Sequence, residues 1–89
     1  MPLIRNDALI VREIDGELVL YDPEGDAVHT LNPTSRFIWE RCDGAHTPAD
    51  IVSELTTNYA VSVDVARRDV DRVLKRLKDL GLVRQEKPA

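Results

Sequence analysis

The sequence predicts an α+β domain, a winged helix-turn-helix in which a three-stranded antiparallel sheet is followed by three helices. Three observations predict it. Short runs of aliphatic and β-branched residues, separated by tight-turn signals, fill the first third of the chain. Three later segments each open on a helix-capping residue and carry apolar side chains at helical spacing. The chain has 89 residues, the length of one small domain, so residues 1–89 are expected to fold around a single core.

The strands come first. Residues 8–14, ALIVREI, are rich in residues that favour strands. Asp15-Gly16 is a two-residue turn signal, and residues 17–22, ELVLYD, make the second arm of a hairpin. PEGD, at 23–26, is a second turn. Residues 27–31, AVHTL, make a third, short strand, which completes a meander.

The helices follow without a linker. Asn32 is a good N-cap and Pro33 a good first helical residue, and the first helix is expected to run to about Asp43 and stop at Gly44. Thr47-Pro48 repeats the start signal, with Asp50 in the first turn, for a helix running to about Asn58 with Ile51, Val52 and Leu55 on its apolar side. Ser62 caps the third helix, which carries Val65, Ala66, Val70, Val73, Leu74, Leu77 and Leu80 on one broad face and closes at Gly81. Pairs Asp64–Arg68 and Asp71–Lys75 are expected along its solvated side. Leu82-Val83 adds a short extended piece.

Charge narrows the function classes. The net charge is −4, unevenly spread. Residues 1–63 hold four basic against eleven acidic residues, a balance of −7, whereas residues 64–80 hold six against four, a balance of +2. The acidic whole argues against a broad phosphate-binding surface, since nucleic-acid affinity rests on cationic contacts. A winged-helix DNA-binding regulator, with the third helix as recognition helix, is the alternative reading, and the acidic PEGD turn where a basic wing would lie speaks against it. No apolar run reaches the length of a membrane span and no signal-peptide pattern opens the chain, so a cytoplasmic protein without membrane contact is expected.

Catalysis is expected to be absent. His29 and His46, the only histidines, lie in no metal-binding spacing, and Cys42 has no second cysteine to complete a site. Cys42 follows Ile38 by four residues and is expected to be a small buried residue. Trp39 is expected to pack over the sheet. No glycine-rich phosphate loop is present, and no cofactor or metal is implied.

Two features point to binding. The first is the edge of the meander, AVHTL, which is uncharged and fixed in place by the helix that follows it. An edge strand presents unpaired backbone groups, and an extended peptide can add to it as a further strand. Such an edge also permits self-pairing into a homodimer. The second is the positive third helix, where Arg67, Asp71 and Lys78 flank one border of the apolar stripe.

The runs LNPTSRFIWERCDG, TPADIVSEL and DVDRVLKRLKDLGLV resemble, in order and spacing, the PqqD family, which includes the leader-recognition proteins of ribosomally made, modified peptides. The resemblance covers about residues 8–83. It implies a winged-helix domain that binds the leader of a precursor peptide and presents it to a modifying enzyme, such as a radical S-adenosylmethionine enzyme or a leader peptidase. Quinone-cofactor and lasso-peptide pathways both fit it. It implies that the leader pairs with the third strand in a groove beside the third helix. Mapped onto this sequence, that groove is Ala27, Val28, His29, Thr30 and Leu31, with Arg67, Val70, Asp71, Leu74, Lys75 and Lys78 opposite. It implies no chemistry and no cofactor of the domain's own.

Overall fold

The computed structural model describes residues 3–85. Strands β1 (Leu3–Arg5), β2 (Ile10–Ile14), β3 (Glu17–Asp22) and β4 (Ala27–Leu31) precede helices α1 (Pro33–Glu40), α2 (Pro48–Tyr59) and α3 (Val63–Asp79), and β5 (Val83–Gln85) follows them. The expected three-stranded antiparallel sheet, in order β2-β3-β4, and the three helices after it are present. A two-stranded sheet, β1 with β5, is an addition that the turn signals do not announce.

The turns set the register of the larger sheet. Asp15 and Gly16 both have positive φ, 53° and 82°, the requirement of a type I′ hairpin turn. Ile14 therefore pairs with Glu17 across a two-residue loop. The second loop ends on Asp26 at φ 49°, and Asp22 pairs with Ala27. Leu18 and Leu20 on β3 and Leu31 on β4 are buried on the inner face, while Val28 and Thr30 stand on the exposed outer face. Strand β2 is shorter than the expected 8–14, because Asn6 holds residues 6–9 in a turn, its side chain accepting from the Ala8 N–H at 3.0 Å.

Caps define the helix starts. Asn32 accepts from the Ser35 N–H at 2.8 Å. Thr47 and Asp50 form a reciprocal capping box, and Ser62 accepts from the Val65 N–H at 3.2 Å. At the far end of α3, Gly81 at φ 74° lets Leu82 N–H reach the Leu77 carbonyl at 2.9 Å while Gly81 N–H reaches Lys78 at 3.1 Å. That is a Schellman closure, and it turns Leu82 back into the core, fully buried.

Two further expectations are corrected. Helix α1 stops at Glu40 rather than near Asp43. The cause is β1: Arg5 N–H takes the Cys42 carbonyl at 2.8 Å, and Gly44 N–H donates to the Leu3 carbonyl at 3.2 Å, which bridges Asp43 to Ile4 instead of continuing the helix. The ion pairs Asp64–Arg68 and Asp71–Lys75 do not form. Among the described residues, α3 carries one pair, Arg72 with Asp69 at 3.2 Å.

One core joins these parts. Leu18, Leu20 and Leu31 meet Phe37, Ile38 and Trp39 of α1, and Val70, Val73, Leu74 and Leu77 of α3 close over them. Among the described residues, no polar or charged residue is buried. Trp39 donates its indole N–H to the Leu82 carbonyl at 3.1 Å, so the ring's polar edge is satisfied inside the core. Arg36 ties α1 to the β2–β3 hairpin through Glu13 at 2.6 Å.

Candidate functional site

Strand β4 has β3 on one side and, among the described residues, no strand on the other. The last strand, β5, lies on β1 and leaves the β4 edge open. Which backbone groups that edge presents follows from the register. Ile14 and Glu17 are the first and last residues of the type I′ turn, so their backbones bond to each other. Along an antiparallel strand, residues bond alternately to one side and the other. Counting from Glu17, Leu18, Leu20 and Asp22 bond toward β4, where they face Leu31, His29 and Ala27. Val28 and Thr30 therefore aim their N–H and C=O groups outward from the sheet.

Outward of that edge lies an open hollow of about 860 Å³. Val28, His29, Thr30 and Leu31 line one wall, and Asp69, Arg72, Val73, Arg76, Leu77 and Leu80 of α3 line the other. Glu17 of β3 and Asn32, Thr34 and Ser35 at the start of α1 also line it. Val73 and Leu77 are buried and Leu80 is half-buried, so they form an apolar floor, while Arg72 and Arg76 are exposed at its rim. The lining suits a chain in extended conformation, with backbone bonds on one side and side-chain contacts on the other.

The strand half of the anticipated groove, Val28 to Leu31, lines this hollow, and Ala27 sits at the start of the same strand. The residues anticipated for the helix half lie away from this hollow. Val70 and Leu74 are core residues, 0% and 8% exposed. Arg67 and Asp71 line a different hollow, on the α2 side with Val52 and Thr56. Lys75 and Lys78 are exposed, and neither lines the β4 hollow. At about 100° per residue, positions 69, 72, 76 and 80 form one flank of the apolar stripe and 67, 71, 75 and 78 the other. The periodicity shows the stripe and both flanks. Packing against the sheet decides which flank faces β4.

The remaining reactive side chains lie elsewhere. Cys42 is buried, its Sγ donating to the Ile38 carbonyl at 3.4 Å. Burial pushes its thiol up to about 11, so it is not a thiolate nucleophile. Trp39 borders a hollow on the β1 side with Arg5, Leu9 and Val11, and does not rim the β4 groove. His46 is held between two carboxylates, with Nδ1 at 2.9 Å from Asp43 and Nε2 at 2.8 Å from Glu54. The hydrogen bond to Asp43 raises the His46 pKa above its usual value, and the same contact holds Asp43 down at about 2. This clamp joins the loop after α1 to α2, where Glu54 also meets Arg41 at 3.3 Å. No helix among the described residues is long and apolar enough to cross a membrane.

Comparison with known proteins adds three findings. The model of the family described as coenzyme PQQ synthesis protein D (PqqD) matches residues 17–83. A solved structure of lasso peptide synthetase B1 complexed with the leader peptide is 28% identical, with a TM-score of 0.84, and the match covers 96% of this chain and 100% of that one. The structure of TbiB1 in complex with the TbiA(beta) leader peptide is 24% identical, with a TM-score of 0.81, and covers 96% and 99%. No curated protein matches the chain.

Proposed function

This chain belongs to the PqqD family, and on that premise we propose that it is a leader-peptide-binding adaptor for the biosynthesis of a ribosomally made, modified peptide. The leader adds as a fourth strand to β4, and Val28 and Thr30 supply the backbone bonds. Its side chains enter the hollow in front of α3. The adaptor does no chemistry itself. It holds the leader and thereby brings the precursor's modified region to a partner enzyme, such as a radical S-adenosylmethionine enzyme or a leader peptidase. The single observation that carries this reading is the unpaired edge of β4, facing an apolar, cation-rimmed helix flank across an open hollow. Two structural neighbours bound to leader peptides support it.

The test is a titration of isotopically labelled protein with synthetic leader peptides, taken from short reading frames beside its gene. Amide shifts concentrated on Val28 to Leu31 and on the Asp69–Leu80 flank of α3 are expected. Shifts confined to the α2–α3 hollow around Val52, Val63 and Arg67 would overturn the proposed site.

A further inference from the structure

Resting on the strand-addition reading, we propose that this groove selects an acidic strand: Arg76 binds a carboxylate side chain of the added peptide, next to an aliphatic side chain seated on Val73, Leu77 and Leu80.

Pairing geometry fixes which peptide residues face the helix. Cross-strand partners project to the same face of a sheet. Peptide residues opposite Ala27, His29 and Leu31 therefore point inward, as Leu31 does toward the core. Residues opposite Val28 and Thr30 point to the outer face with those side chains. So α3 is met by every second peptide residue, and these must satisfy an apolar floor and a rim that carries Arg72, Arg76 and Asp69 of α3, with Glu17 of β3 lining the same hollow.

The rim has two arginines with different circumstances. Arg72 and Arg76 are four residues apart on one flank, and both line the hollow. Arg72 already has a carboxylate, Asp69 at 3.2 Å. Arg76 forms no ion pair among the described residues; Asp79, three positions on, does not come within ion-pair distance. Arg76 therefore brings an unneutralised guanidinium to the border of an apolar floor. A guanidinium binds a carboxylate through two parallel N–H donors, which fixes position as well as charge. Seating a peptide there excludes water from the pair, which strengthens it relative to an open surface.

Long-range attraction does not account for such a preference. The chain carries −4 overall, and its first 63 residues carry −7, so its general field repels an acidic peptide. The selection acts at contact range, and it shows in the dissociation rate more than in the association rate.

The experiment uses a display library of random linear peptides selected on the immobilised full chain. Selected peptides are then checked for amide shifts at Val28 and Thr30. The expected result is enrichment of Asp or Glu at a spacing of two or four from an aliphatic residue. For one selected peptide, replacing its acid by the matching amide, or Arg76→Glu in the protein, lowers affinity about tenfold, or about 1.4 kcal/mol. Combining Arg76→Glu with a lysine in place of the peptide's acid restores most of the loss. Arg76→Gln, with an unchanged melting temperature, serves as the uncharged control. If selected peptides shift Val28 and Thr30 but show no acidic preference, and Arg76→Glu binds them equally well, the acidic reading is overturned and strand addition stands. If the selected peptides leave β4 unshifted, both fall.

Discussion

Proline placed along β4 separates binding from folding by a single residue. The alternation derived above puts the Thr30 N–H on the open side and the His29 N–H in the ladder with β3. Thr30→Pro removes a donor that the folded chain does not use, and proline is tolerated on an edge when its missing N–H faces solvent. The bound peptide then loses one backbone bond, worth about 0.5–1.5 kcal/mol, or roughly a two- to tenfold loss of affinity. The ring also intrudes on the incoming strand, so the upper figure is expected. His29→Pro acts differently. It removes a bond to Leu20, a residue that is fully buried at the centre of the sheet. Leaving the buried Leu20 carbonyl without its donor costs about 1–3 kcal/mol, which for a domain of this size lowers the melting temperature by at least about 4 °C. The assay is a thermal melt and a peptide titration on the same preparations. A Thr30→Pro protein that binds like the parent would refute strand addition at this edge. A His29→Pro protein as stable as Thr30→Pro would refute the register itself.

Three further outcomes follow. Asn32→Ala removes the cap that accepts from Ser35 N–H and should cost about 1 kcal/mol, read by chemical denaturation. Because the same residue joins β4 to α1, peptide affinity should also drop, through looser placement of the strand end. His46 has a raised pKa, so the stability it adds is complete below its unfolded value and is lost as pH rises through the folded one. Asp43 is held down at about 2, so its part is complete above its unfolded value and is lost as pH falls toward 2. The clamp thus contributes most between about pH 4 and pH 6. Melting curves of His46→Gln should lie closest to those of the parent on the alkaline side of that window, and a parent stability that rose from pH 6 to pH 8 relative to the variant would contradict the sign. Finally, Cys42, raised to about 11 by burial, should resist a thiol-specific reagent at neutral pH until the protein is unfolded, and rapid labelling of the native chain would show that the α1 end opens.

Much of the fold is legible because it is encoded locally. The boundaries of β3 and β4 coincide with Asp15-Gly16 and PEGD, and Asn32, Thr47 and Ser62 start the three helices where their side chains suggest. What escapes the sequence is encoded at long range. Strand β1 is only three residues long, and it is held by β5, Cys42 and Gly44, its β5 partners lying about eighty positions away. Its pairing also shortens α1, a consequence that caps alone do not show. The candidate site divides along the same line. The β4 wall is read from the strand pattern. The α3 wall needs to know which flank of the stripe turns toward the sheet, and Arg67, Asp71, Lys75 and Lys78 satisfy the helical period as well as Asp69, Arg72, Arg76 and Leu80 do.

The claim on which everything else rests is that two backbone amides of β4 are unused in the free chain and are taken up by a guest strand. Residue-resolved amide hydrogen exchange measures this directly. In the free protein, the Val28 and Thr30 amides should exchange at nearly unprotected rates while His29, bonded to β3, is slowed. With saturating leader peptide, Val28 and Thr30 should become protected and His29 should change little. Protection of Val28 and Thr30 before any peptide is added, or exchange at both sites that saturating peptide leaves unaltered, would contradict the account.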